Sequence, residues 1–171
     1  MTQDSPTGST SAPAPTELRY LILAAQRENN RAFARLLAST GLTPSQAEIL
    51  VVLGEFGPLS LRDLGAMIVC EAGSPSRVVE ALVQRGLVDR QSDPRDRRAV
   101  LLDLSTAGRD LVPTLQAIER ELDQGAAGQL DPAQLAVVAD VLRELLRGTR
   151  DGLALEGRFA GRRSTPPRTP A

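Results

Sequence analysis

The sequence has no histidine, no lysine and no tryptophan, one cysteine and very few aromatic residues. Each absence excludes something. Without histidine the chain lacks the side chain most used as a general base near neutral pH and as a metal ligand. A single cysteine, Cys70, allows no intramolecular disulfide. With aromatics at 2%, the core must be built from Leu, Val, Ala and Ile. The longest apolar run, around Ile49–Leu53, falls far short of the roughly 20 residues that span a bilayer. Residues 1–15 are polar and rich in Pro, Ser and Thr, with no basic start and no apolar centre, so they do not read as a secretory signal. No membrane association is expected, and the expected location is cytoplasmic. There is no Gly-rich phosphate loop and no G-x-S-x-G nucleophile motif, and the acidic residues are scattered. An enzyme is therefore not expected, and neither is a cofactor or a metal.

What is present fits one domain with tails. The chain has 171 residues, 42% hydrophobic and 24% charged, ordinary values for a globular protein. A chain of this length can bury roughly two-thirds of its unfolded surface without a disulfide or metal. The formal charge is −1, from 20 basic and 21 acidic residues, so nucleic-acid binding cannot be argued from net charge. All 20 basic residues are arginine. Arginine suits bidentate contact with phosphates and base edges, although a GC-rich coding bias is the better account of the composition as a whole.

Residues 1–15 read as a disordered arm, and 149–171 as a flexible basic tail. Six helices and one hairpin are expected between them. The first helix runs from about Thr16 to Ser39, on an interrupted stripe of Leu18, Leu21, Ile22, Ala25, Phe33, Leu36 and Leu37, and Gly41 ends it. Thr43-Pro44-Ser45-Gln46 is a capping box with proline at the first helical position. The helix it opens is apolar on most sides and should be buried. Gly57-Pro58 stops it. Ser60 caps a short third helix with Leu61, Leu64 and Ile68 inward. Ser74-Pro75 opens a fourth, ended by Gly86, with Val78, Val79, Leu82 and Val83 toward the core. LVDRQ, SDPRDRR and AVLLDL then read as a hairpin with a charged tip, in which Val100, Leu102 and Leu104 alternate as a half-buried strand does. A fifth helix covers about 105–125, with Pro113 inside it. Asp131-Pro132 opens a sixth, 131–148, lined by Leu135, Val138, Leu142, Leu145 and Leu146.

Helices three and four, joined by a short turn, make a helix-turn-helix. The charged hairpin after them is a wing. The fold class is thus mainly α with a small β-hairpin wing: a winged helix-turn-helix over 42–104, flanked by helices at 16–39, 105–125 and 131–148, within a single domain of 16–148.

From Leu42 to Gly108 the chain is similar to the MarR family. The resemblance rests on LTPSQAEILVVL, SLRDLGAMI, the helix ending in Gly86-Leu87-Val88, the wing D-x-R-D-x-R from Asp93 to Arg98, and Leu104-Ser105-x-x-Gly108-Arg109. It implies a homodimer with two winged helices, joined through the flanking helices. It also implies binding to a pseudo-palindromic double-stranded DNA operator, usually for repression, often relieved by a small-molecule or oxidant effector. Pro75 departs from the family, which commonly has a β-branched or polar residue there. No cysteine lies near the start of the first helix, where the peroxide-sensing branch carries one.

With its valines and leucine inward, the fourth helix presents Ser76, Arg77, Glu80, Ala81 and Gln84 outward. Arg77 can read guanine bidentately, Gln84 adenine, Ala81 a thymine methyl and Glu80 cytosine. Ser74 and the free N–H groups beside it can hold a phosphate. In the wing, Arg95, Arg97 and Arg98 stand beside Asp93 and Asp96. An arginine at a hairpin tip can enter a narrow minor groove, and the resemblance implies that Asp96 holds Arg98 extended. An ordinary solvated surface is the competing reading of both elements, and a winged helix used only for protein contacts is the alternative function. Cys70 is a candidate redox switch or an inert buried thiol. Tyr20, Arg27 and Arg31 border an effector pocket or lie on plain helix surface. Arg158, Arg162, Arg163 and Arg168 add phosphate contacts from the tail or have no role.

Overall fold

The computed structural model describes residues 14–69, 74–94, 96 and 99–159, with 126 and 127 as backbone only. The elements are α1 (Pro15–Leu36), a 3-10 turn (Leu37–Thr40), α2 (Pro44–Phe56), β1 (Leu59–Ser60), α3 (Leu61–Gly65), α4 (Pro75–Gln84), β2 (Val88–Ser92), β3 (Val100–Leu104), α5 (Thr106–Ala127), α6 (Pro132–Leu146) and α7 (Arg150–Phe159). The chain is mainly helical, with a small antiparallel sheet, as a winged helix requires.

Helix α2 is the centre. Thr43 caps it reciprocally with Gln46: the Gln46 N–H donates to Thr43 Oγ1 at 3.3 Å, and the Thr43 N–H donates to Gln46 Oε1 at 3.1 Å. From Ala47 to Leu53 every residue is buried. An all-round apolar helix can be stable only when enclosed. It is enclosed by Leu37 from the 3-10 turn, Leu64 of α3, Val79 and Leu82 of α4, Leu102 and Leu104 of β3, and Leu115 and Ile118 of α5.

The sheet holds a strand that the hairpin reading did not include. Its order is β1-β3-β2. Leu59 and Ser60 pair with Leu102 and Leu101, and Val88 to Ser92 pair with Leu104 to Val100. A two-residue strand leaves almost no periodic signal, so it escapes sequence patterning. The alternation on β3 holds for Leu102 and Leu104, but Val100 is exposed because it lies at the outer end, beyond the core.

Other boundaries shift modestly. α1 gives way at Leu36 to the 3-10 turn, before Gly41 reverses the chain at φ 63°. Ser60 caps α3 by accepting the Asp63 N–H at 3.1 Å. Leu64 and Ile68 face inward as expected, whereas Leu61 is exposed. Asp131 and Gln134 form the capping box of α6. The main correction falls on the tail, where 150–159 fold as α7. Gly148, at φ 73°, ends α6, and Thr149 then caps α7 by accepting the Gly152 N–H at 3.0 Å. Gly152 and Ala154 are buried.

The junction between the winged helix and α5 explains the Leu-Ser-x-x-Gly-Arg motif. Ser105 Oγ donates to the Gly86 carbonyl at 2.7 Å and accepts the Gly108 N–H at 3.0 Å. The Ser105 N–H donates to the Leu87 carbonyl at 3.1 Å. Arg109 reaches back to Asp103 at 2.7 Å. α5 lies so close to this turn that a Cβ on Gly108 would stand 2.1 Å from the Leu87 oxygen. Gly108→Ala should therefore lower unfolding stability by about 1–3 kcal/mol, as forced overpacking does. Urea titration checks this, and an unchanged midpoint would contradict so close an approach.

Candidate nucleic-acid interface

Helix α4 is two-sided. Val79 and Leu82 are sealed at 1% and 0% exposure, with Val78 and Val83 half-buried beside them. Its other side carries Ser76, Arg77 and Gln84, all exposed. Burial on one side fixes the helix, and polarity on the other leaves donors and acceptors free to meet a ligand. Arg77 has no ion-pair partner among the described residues. Ala81 is only partly exposed, at the border of the two sides.

Ser74 precedes the helix with extended backbone, but its side chain makes no capping bond. Its hydroxyl lies 2.6 Å from that of Ser76. The first amide groups of α4 are thus without a side-chain cap, beside two exposed hydroxyls. At the far end, Arg85 donates to the Gly41 carbonyl at 2.9 Å and to Gln46 Oε1 at 3.3 Å, tying α4 to the start of α2.

Glu80 behaves differently from the expectation that it reads a base. It is half-exposed and bonded to Arg90 of β2 at 2.7 Å. This pair joins α4 to β2 and neutralises the one acidic charge on the outward side of α4. Arg90 is absent from the site expected on sequence grounds. The pleat contains a signal for it: Arg90 stands two residues after buried Val88, on the same side of the strand.

The hairpin continues past the strands. The Asp93 N–H donates to the Ala99 carbonyl at 3.0 Å, and the Ala99 N–H to the Asp96 carbonyl at 2.9 Å. These bonds extend the hairpin beyond Ser92 and Val100. Asp96 is exposed and Asp93 half-buried. Arg95, Arg97 and Arg98 lie outside the described residues, as do Cys70 and the tail arginines Arg162, Arg163 and Arg168.

The remaining candidates lie apart from this surface. Tyr20 is exposed on α1 under the Arg19 guanidinium, 4.5 Å from the ring centre. Arg31 pairs with Glu28 at 2.5 Å, and Arg27 is exposed. A cavity of about 590 Å³ does open between α1 and α5, but Glu28, Asn29, Arg35, Glu121 and Gln129 supply its polar lining, and Tyr20, Arg27 and Arg31 do not line it. Arg158, expected in a loose tail, is buried against Glu48 at 2.8 Å, so it cannot serve as a surface phosphate contact. Among the described residues no single helix is long and apolar enough to cross a membrane.

Residues 42–100 match the family model described as MarR family. A solved probable transcriptional regulator from Pseudomonas aeruginosa is 37% identical, with a TM-score of 0.59 over 72% of this chain and 96% of that one. BpsR of Bordetella bronchiseptica, solved in a study of the regulation of its DNA binding by 6-hydroxynicotinic acid, is 27% identical. Its TM-score is 0.71 over 81% of this chain and 99% of that one. The transcriptional repressor NicR of Pseudomonas putida is 24% identical over 142 residues, 83% of this chain and 90% of that protein.

The Glu80–Arg90 pair is about half exposed on both sides, so it contributes little to folding. Arg90→Ala should leave the melting curve almost unchanged. It should weaken binding to duplex DNA about threefold, since a lone carboxylate ~6 Å from a phosphate in water costs ~0.7 kcal/mol. The double variant Arg90→Ala with Glu80→Gln should recover that loss. Fluorescence anisotropy on a labelled duplex measures both. No recovery in the double variant would mean that Arg90 acts through some contact of its own.

Proposed function

The chain belongs to the MarR family of transcriptional regulators, and on that premise we propose that it is a homodimeric, sequence-specific repressor of a pseudo-palindromic operator. The observation that carries this is the α4 surface: Ser76, Arg77 and Gln84 stand free above a sealed apolar side, with the wing bonded alongside through Glu80 and Arg90. Arg77 reads a guanine edge and Gln84 an adenine in the major groove. Ser74 and Ser76, with the first amides of α4, hold a phosphate and set the register. The wing, with Asp93, Arg95, Asp96, Arg97 and Arg98, follows the backbone into the adjacent minor groove.

Dimerisation through α1, α5 and α6 is supported by what these helices leave uncovered. On α6, Val137 is 63% and Val141 51% exposed, and Leu135, Val138, Leu142 and Leu145 are exposed with them. Leu18, Leu21 and Ile22 of α1 are exposed as well. An apolar surface of this extent seeks a partner, and a second copy supplies it with two-fold symmetry. Two recognition helices then read half-sites about one helical turn, ~10 bp, apart.

A small molecule relieves repression on this reading. The cavity between α1 and α5, which has both apolar and polar walls, is open enough to admit one, and DNA binding by the relative from Bordetella bronchiseptica is regulated by 6-hydroxynicotinic acid.

A gel shift on DNA flanking the protein's own gene, against scrambled duplex, tests the whole reading. Arg77→Ala should cost ~1–3 kcal/mol and relax preference at one base pair, while Arg98→Ala weakens all sequences alike. Log affinity should fall steeply and linearly with log salt; a flat response would favour a module for protein contacts instead. Val141→Glu should shift sedimentation from dimer to monomer and reduce operator affinity at least about tenfold, because one half-site must then bind alone.

A further inference from the structure

α7 lies against the helix-turn-helix. Leu153, Ala154 and Arg150 share a groove with Leu61 and Gly65 of α3 and with Ala66, which follows it. At its end Arg158 enters the core and meets Glu48 of α2 at 2.8 Å, with Glu119 of α5 at 3.7 Å on its other side. The side chains of Arg158 and Glu48 are only 12% and 8% exposed. Glu48 Oε1, which accepts Arg158 Nη1, also accepts the backbone N–H of Val69 at 3.0 Å. Val69 follows α3, in chain without regular structure, and is the last described residue before the segment that leads to Ser74 and α4.

One carboxylate oxygen therefore joins the C-terminal helix to the approach of the recognition helix. A buried carboxylate with a guanidinium beside it is held in a single place, whereas without that cation it must be rehydrated or protonated and its hydrogen bonds weaken. Val69 makes its bond to a side chain rather than to a neighbouring turn, so its position depends on where Glu48 is held. We propose that α7 is a strut and Arg158 a positioning residue: through Glu48 they fix Val69, and with it the seating of α4 on DNA. Only Gly148 and Thr149 separate α7 from the C-cap of α6. Movement of α6 is thereby transmitted to Val69. This rests on the proposed operator binding for its consequence, but not for the contact itself.

The test uses the full chain and four variants: Arg158→Met, Arg158→Lys, Glu48→Gln, and Arg158→Met combined with Glu48→Gln. Amide hydrogen exchange at Val69, thermal unfolding, and affinity for operator and for scrambled duplex are measured on each. Arg158→Met should speed Val69 exchange at least about tenfold. It should also reduce the preference for operator over scrambled DNA by roughly two- to thirtyfold, and Arg158→Lys should restore part of both. The double variant no longer buries a lone carboxylate, so it should regain thermal stability but not operator preference. Unchanged Val69 exchange in Arg158→Met would overturn the proposal. So would a double variant that regained operator preference in full, since the pair would then act on stability alone. If Arg158→Met does not fold, Glu48→Gln decides: it keeps an acceptor for Val69 but removes the charge, so α7 amides should exchange faster, and unchanged exchange refutes the strut. A wild-type chain that prefers no duplex would sink the operator reading, and Val69 exchange would still decide the strut.

Discussion

A helix that is apolar around most of its circumference must be enclosed, because each side left to water forfeits roughly 25 cal/mol for every Å² of apolar area. α2 imposes that constraint here. Its residues Ala47 and Ile49–Leu53 are nearly inaccessible, and enclosing them recruits α1, α3, α4, β3 and α5. This enclosure sets the placement of α4. Val79 and Leu82 are drawn onto α2, and a helix sealed along one stripe must turn the opposite stripe outward. The presentation of Arg77 and Gln84 is thus a consequence of apolar burial elsewhere. The wing takes its position from the same source, since β3 is anchored on α2 through Leu102 and Leu104, and β2 is paired to β3.

Glu48 is the exception inside this enclosure. A single carboxylate within an apolar shell is costly to desolvate, so it must be compensated by a cation and hydrogen bonds. Arg158 supplies the cation from the far end of the chain. The requirement acts on both partners: α2 holds a charge that α7 is placed to meet, and α7 carries an arginine that the carboxylates of Glu48 and Glu119 offset. This accounts for a helix in a region whose composition otherwise resembles a loose tail.

Most of the framework could be read directly from the residues. Capping boxes at Thr43 and Asp131, the Ser60 cap, the glycine after α4 and the alternation at Leu102 and Leu104 are local signals, and local geometry obeys them. The outward side of α4 was legible for the same reason, since helical spacing sorts Val79 and Leu82 from Arg77 and Gln84. What escaped depends on partners distant in sequence. β1 is too short to show a period and exists only because β3 is there to pair with it. The Glu80–Arg90 and Glu48–Arg158 pairs join residues whose proximity the fold creates. α7 did leave a local trace, with Gly148 to stop α6 and Thr149 to cap the next helix. The arginines and glycines of 149–171 outweighed it when the segment was read by composition.

The arrangement of charge resolves the apparent conflict between a net charge of −1 and a family of DNA-binding regulators. At physiological salt, fields fade within about 8 Å, so a phosphate responds to the charges nearest it and hardly to the total. Two acidic groups close to the proposed DNA surface are occupied by arginines within the chain. Glu80 is paired to Arg90, and Asp103, at the base of the wing, to Arg109. Arg77 is left facing solvent. Attraction for DNA then comes from the arginines at the contact itself, and it grows with the number of phosphates they neutralise. On the proposed reading, sequence preference is added by the few contacts that form only when the bases under α4 and the groove under the wing both match. A near-neutral total is therefore compatible with operator recognition, because the charges at the contact, and not their sum over the chain, set the attraction.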